Sequence, residues 1–154
     1  MNAVQDYLTR YTEGFKSLGY PALTETFVLR NGKPGVVGKR VGCRGTPKQC
    51  FSNAARWALR SGRGTYTEGY AMRHGWPIAI AHAWVTLDGK VMDNTLDAAE
   101  FDYMGVEIET KVLTQQLAKN KVYGLFDDGR GINVNLLFAL DPGLKAACGL
   151  KEDA

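Results

Sequence analysis

Residues 80–94 read Ile-Ala-His-Ala-Trp-Val-Thr-Leu-Asp-Gly-Lys-Val-Met-Asp-Asn, two largely apolar runs around one Asp-Gly pair. Asp88-Gly89 is a strong hairpin signal, because a two-residue loop needs positive φ angles that Asp tolerates and Gly adopts freely. Such a loop fixes the register: Leu87 faces Lys90, Trp84 faces Asp93, Ala83 faces Asn94 and His82 faces Thr95. Cross-strand partners share a face of the sheet, so Asp93 lies on the face of His82 and Asn94 points away. The diagonal from His82 to Asp93 is roughly 7–8 Å between backbone positions, a gap that an imidazole and a carboxylate can close. A bulge or a three-residue loop would shift the register by one and exchange Asp93 for Asn94.

Working outward, Trp76 to Thr86 leads into the first hairpin strand, and Thr65-Tyr66-Thr67-Glu68-Gly69-Tyr70-Ala71 alternates as a strand before it. A helix runs from about Cys50 to Arg60, stopped by Ser61-Gly62-Arg63-Gly64, with Cys50, Ala54 and Trp57 along one face. Val4, Tyr7, Leu8, Tyr11, Phe15 and Leu18 recur at helical spacing over residues 3–18, and Gly19 ends that helix. Phe27-Val28-Leu29 reads as a short extended piece. Residues 30–47, rich in glycine and basic side chains, are too long for a plain connection and frame or cover a site. On the C-terminal side, Tyr103 to Ile108 reads as a strand, 110–120 as a helix and Lys121 to Phe126 as a further strand. Asp127 to Gly131 is a turn, Asn133 to Leu140 a helix stopped by Asp141-Pro142-Gly143, and the last ten or so residues a loose tail. Helices first and an antiparallel sheet after them make an α+β domain.

The chain has 154 residues, 45% of them hydrophobic, enough for a single domain over 1–154 that folds without disulfides or a structural metal. Met1 to Tyr7 shows neither the basic nor the apolar region of a secretory signal, and no apolar stretch reaches membrane-spanning length. These features predict a soluble cytoplasmic protein, in the host cytoplasm if its origin is viral, with no membrane partner. Cys43, Cys50 and Cys148 are three and scattered, which excludes a disulfide framework and fits a reducing compartment. They form no CxxC-like cluster, and the two histidines no HxxxH-like one, so no metal is expected.

The net charge of +3 hides an asymmetry. Residues 1–63 hold eleven Lys and Arg against three Asp and Glu, a net +8, and residues 64–154 hold eight against thirteen, a net −5. Lys39, Arg40, Arg44 and Lys48 precede Cys50, and Arg56, Arg60 and Arg63 follow it. An acidic or phosphate-bearing partner steered to this half is one reading, and a solvated helix face beside a basic loop is the other. Aromatic residues are not interleaved with these charges, which argues against nucleic acid.

Cys50 stands where the polar loop turns into the alanine-rich helix, Lys48-Gln49-Cys50-Phe51-Ser52-Asn53-Ala54-Ala55. The positive end of the helix dipole and its unpaired N–H groups favour a thiolate there and can hold an oxyanion. With His82 as base and Asp93 as orienting acid, the chain carries a nucleophile, a base and an acid in one order, and the chemistry needs no cofactor. The Cys50 backbone N–H and the Gln49 side chain are the candidate oxyanion donors, and Trp84 and Glu68 are further candidates for substrate contacts. Taken singly, a helix-start cysteine is a small buried residue and a strand histidine a hydrogen-bonded core group; together, their order, register and helix placement point to catalysis. His74 falls in a turn-like segment, and Cys43 in a glycine-flanked loop without support for a redox role.

Three segments, QCFSNA (49–54) opening a helix, YTEGYA (66–71) as a strand and HAWVTLDGKVMDNT (82–95) as a hairpin, resemble the core of the transglutaminase-like and papain-like thiol enzyme superfamily. The resemblance covers about residues 46–108 and is similar to the layout of small bacterial and phage proteins. It implies a central helix carrying the thiol, packed on an antiparallel sheet carrying His82 and Asp93. It also implies acyl-thioester chemistry on an amide or ester. The chain departs from papain-type enzymes at Phe51, where a glycine or tryptophan neighbours the cysteine. The expectations are therefore a cysteine peptidase or amidase acting on a protein or peptide, an acyltransferase or transglutaminase with the same triad, or a non-catalytic binding or inhibitor module, viral in origin. Water access and an acceptor pocket separate the first two.

Overall fold

The computed structural model describes residues 2–152. Asn2 opens α1 (Ala3–Ser17) by accepting the N–H groups of Val4 and Gln5 on its side-chain oxygen, and the helix turns Val4 and Leu8 inward. Next comes α2 (Leu23–Asn31), which replaces the extended piece expected at Phe27-Val28-Leu29. A three-residue apolar run suits either period. Here Leu23, Phe27 and Val28 are buried at helical spacing, with the Phe27 ring edge-on to Phe126 at 5.3 Å.

The remaining elements are β1 (Lys33–Pro34), α3 (Cys50–Ser61), β2 (Thr65–Arg73), β3 (Ile80–Leu87), β4 (Lys90–Met92), a 3₁₀ turn at Ala98–Glu100, β5 (Phe101–Glu107), α4 (Thr110–Asn120), α5 (Val134–Leu140) and α6 (Leu144–Ala147). Two expectations fail in the C-terminal third. Lys121 to Phe126 forms no strand, because the N–H groups of Leu125 and Phe126 are taken by the Glu68 carboxylate, at 2.8 and 2.9 Å, instead of by a neighbouring strand. The tail is not loose up to residue 148, since α6 buries Leu144 completely; Asp153 and Ala154 lie outside the described residues.

The fold is α+β, with one antiparallel sheet in the order β1-β5-β2-β3-β4. Residues 33–38 tie its two edges together. Lys33 and Pro34 pair with β5, and the Gly35 N–H donates to the Tyr103 carbonyl. Only a few residues later, Val91 of β4 donates to Val36 and accepts from Gly38. Three residues of extended chain span about 10 Å, so the edges must lie that close and the sheet is strongly curled.

Two glycines permit the curl. Gly69 of β2 sits opposite both His82 of β3 and Gly105 of β5. A Cβ on Gly69 would collide with the Met104 carbonyl oxygen, and one on Gly105 would lie 2.5 Å from the Trp84 ring. The strands therefore approach more closely than side chains would allow. The concave face holds Ala71, Trp84, Val91 and Tyr103, with the Trp84 and Tyr103 rings edge-to-face at 5.0 Å. Helices cover the other face, where Ala54 and Ala55 of α3 share a core with Ala83, Val85, Met92 and Met104. No helix among the described residues is long and apolar enough to cross a membrane.

Candidate active site

The hairpin turn takes the positive-φ conformation at both positions, Asp88 at 51° and Gly89 at 74°. Its register is Leu87 opposite Lys90, Thr86 opposite Val91 and Val85 opposite Met92. Continued by one pair, it brings Asp93 to the face of His82 and turns Asn94 toward α3, where the Asn94 amide donates to the Asn53 carbonyl at 3.2 Å. His82 Nε2 and Asp93 Oδ2 are 2.7 Å apart, with both residues 2% exposed.

Asp93 accepts four hydrogen bonds. His82 Nε2–H and the Tyr103 hydroxyl both reach Oδ2 at 2.7 Å, while the N–H groups of Thr95 and Leu96 reach Oδ1 at 2.8 and 3.0 Å. Those contacts use the acceptor capacity of an ionised carboxylate in full. Burial pushes the Asp93 carboxyl up, but the His82 hydrogen bond and charge, the Leu96 N–H and the Tyr103 hydroxyl outweigh it and hold the group below the usual carboxylate value. Tyr103 moves the opposite way: burial, then the Asp93 charge and hydrogen bond, raise its phenol and keep it a donor.

An ionised Asp93 accepts only, so the Nε2 that faces it carries a proton. Nδ1 is then the ring nitrogen left for a thiol. Cys50 is the first residue of α3 and half-buried, and its side chain is among the groups that act on the His82 ring. Burial alone would lower the imidazole; the hydrogen bonds to Asp93 and Cys50, and the charges of both, overcome it and raise His82 to about 9.

The start of α3 suits an anion. No side chain caps it, and Lys48, two residues before Cys50, is held at φ 63°, a left-handed conformation uncommon for a residue with a Cβ. First-turn N–H groups therefore stand open beside the sulfur. Gln49 occupies the position just before the helix without capping it, and is exposed and next to Cys50.

The other candidates are placed differently. Trp84, 1% exposed, packs over Gly105 inside the curl. Glu68, expected at a cleft wall or facing solvent, does neither. At 3% exposure it accepts the Tyr66 hydroxyl at 2.6 Å and the two N–H groups of the 125–126 segment, so it anchors that segment to β2. Burial raises its carboxyl despite those donors. His74 is exposed, 3.3 Å from Asp102, and all three cysteines are free. Among the described residues, no three His, Cys, Asp or Glu side chains gather as a metal would need.

Tyr103 is the site residue that sequence reading missed. It reaches Asp93 through the pairing of β2 with β5, where Ala71 faces Tyr103, a contact between segments separated by the whole hairpin. The backbone donors to Asp93 did have a signal. Asp93-Asn94-Thr95 is the kind of run in which an Asp side chain binds the N–H two residues on.

The chain matches no family model, no curated protein and no solved structure.

Proposed function

We propose that this protein is a cysteine hydrolase, a peptidase or amidase, in which Cys50, His82 and Asp93 work as a triad. One observation carries the reading: a buried histidine is hydrogen-bonded to a carboxylate that accepts four donors, and a half-buried cysteine at a helix start without a side-chain cap is among the groups that act on its ring. A helix carrying the thiol, packed on an antiparallel sheet carrying His and Asp, also supports the resemblance to the papain-like and transglutaminase-like core.

In this mechanism His82 takes the proton of the Cys50 thiol on Nδ1. The sulfur attacks the substrate carbonyl, and the oxyanion formed is met by the Cys50 N–H, with the exposed Gln49 amide as second donor. Imidazolium gives its proton to the departing amine, leaving a thioester on Cys50. Neutral His82 then takes a proton from water as water attacks the thioester, and release of the acid restores the thiol pair. Asp93 keeps the ring oriented and stabilises its cationic form throughout, without itself taking the proton.

The test compares the wild-type protein with Cys50→Ala in cell extract, with cleaved, deamidated and cross-linked proteins read by mass spectrometry. Cleaved or deamidated products that require Cys50 are expected. Cross-linked products in their place would move the reading to an acyltransferase, and identical profiles would remove the enzymatic reading. Iodoacetamide at neutral pH should modify Cys50 faster than Cys43 or Cys148; equal rates would count against an activated thiol.

A further inference from the structure

The helix that presents Cys50 also forms one wall of a groove of about 630 Å³, and the side chains along that groove share a sign of charge. Arg56 and Arg60 line it from α3 and Arg44 from the loop before the helix, with Trp57, Asn53 and Asn94 between them. No acidic residue lines it, and among the described residues none of the three arginines forms a salt bridge. Arg56 is held in place by its Nε–H to the Tyr123 hydroxyl at 3.1 Å, with its guanidinium 5.3 Å from the centre of that ring. Three uncompensated cations, one already ordered, face an open groove.

A second observation says more about the ligand. Asn94 Oδ1 is the buried side-chain polar atom left without a partner among the described residues, and Asn94, 5% exposed, belongs to the groove wall. A ligand N–H satisfies that acceptor once the Asn94 side chain turns into the groove, which favours a ligand that brings N–H groups along with its negative charge. A phosphodiester backbone brings charge without N–H donors, which sit only on its bases; of the aromatic rings at the groove, Trp57 belongs to the wall and Tyr123 is covered by Arg56. A polypeptide with acidic side chains brings both.

We propose that this groove binds an acidic stretch of a peptide substrate whose reacting carbonyl lies at Cys50. For its register the proposal rests on Cys50 as nucleophile; for the groove it does not. Arg56 and Arg60 follow Cys50 by six and ten residues, which puts them about 9 and 15 Å along the helix axis at 1.5 Å per residue. An extended peptide covers those distances in about three to five residues. The acidic side chains belong three to five positions from the bond that reacts.

The test uses the full chain and fluorescein-labelled hexaglutamate, followed by anisotropy at low salt. Hexaglutamate should bind wild type and Cys50→Ala alike, roughly tenfold more tightly than a Gly-Ser peptide of equal length, and lose that advantage in R44Q/R56Q/R60Q. A companion variant, R44E/R56E/R60E, should prefer hexalysine, which separates reversed charge from a failure to fold. Equal binding of acidic and neutral peptides, indifference to the arginine substitutions, or tighter binding of octathymidylate would each overturn the proposal. Register is read with chloroacetyl peptides: glutamates at the third to fifth positions should speed alkylation of Cys50 over glutamates at the first and second, and equal rates would remove the register. Iodoacetamide labelling separates the two ideas. A sluggish Cys50 with intact hexaglutamate binding defeats the enzymatic reading and leaves an acidic-peptide site, whereas a fast Cys50 without hexaglutamate binding defeats the groove alone.

Discussion

Asp93→Asn preserves the shape of the side chain while removing its charge, so it isolates what the carboxylate does for His82. An Asn side chain can still accept the Thr95 and Leu96 N–H groups through its oxygen. Its amide nitrogen must then face the His82 N–H and the Tyr103 hydroxyl that now bond to Oδ2. The imidazole rises from its ordinary 6.5 to about 9 in the folded chain; at 1.36 kcal/mol per tenfold in proton affinity, that is worth about 3 kcal/mol. The folded value is raised, so this stabilisation is complete below 6.5 and is lost as pH rises through about 9. Asp93 contributes in the opposite sense, being held below its ordinary 3.8, so its share is present above that value and is lost in acid. Urea unfolding of wild type and Asp93→Asn should therefore show a gap that narrows by up to about 3 kcal/mol between pH 6 and pH 10, leaving at pH 10 the pH-independent cost of the two donors that an Asn amide nitrogen cannot accept. In a His74→Gln background, where His82 is the sole histidine, its NMR titration midpoint should fall by about 1–3 pH units in Asp93→Asn. A stability gap that stays level from pH 6 to 10, or an unmoved His82 midpoint, would refute the reasoning.

Tyr103→Phe removes one buried donor to a charged acceptor and nothing else of consequence; unfolding by urea should show a loss of about 1.5–3 kcal/mol, and no loss would mean Tyr103 does not serve Asp93. Gly105→Ala sets a methyl 2.5 Å from the Trp84 ring and should cost about 1–3 kcal/mol by the same assay. Gly69→Ala meets backbone rather than a side chain, cannot be relieved by a rotamer change, and should cost more than Gly105→Ala; the reverse order would contradict the tight crossing of β2 and β5. Glu68 carries a carboxyl raised above 4.5 by burial, so its contribution is greatest below that value and declines as pH rises through the raised one. Glu68→Gln lacks that decline, so the urea midpoints at pH 4 and pH 8 should shift in favour of the variant at the higher pH.

What could be read from the sequence was local. Asp88-Gly89 set a register by turn chemistry, and the period of two on either side carried that register to His82 and Asp93. Gly62 and the polar run before Cys50 bounded α3 in the same way. Readings that failed needed information from elsewhere in the chain. Phe27-Val28-Leu29 has no period of its own, and the packing of Phe27 on Phe126 decided for helix. Leu125 and Phe126 look like strand residues, but a buried carboxylate 57 residues earlier took their N–H groups. Tyr103 was hidden for the same reason, since β5 pairs with β2 across the intervening hairpin.

The curl of the sheet and the chemistry proposed for it depend on each other. A flat sheet would leave Asp93 near the end of a short edge strand, open to water, where an ion pair is worth little. Here residues 33–38 draw the β4 edge toward β5, and the Gly69–Gly105 crossing lets Tyr103 reach the carboxylate from the far side of the concave face. With its four acceptor directions filled, Asp93 stays ionised although buried, and an ionised Asp93 fixes the proton of His82 on Nε2. In the proposed mechanism, that leaves Nδ1 to serve Cys50. The fold thus sets the tautomer, and through it the direction in which His82 can exchange a proton.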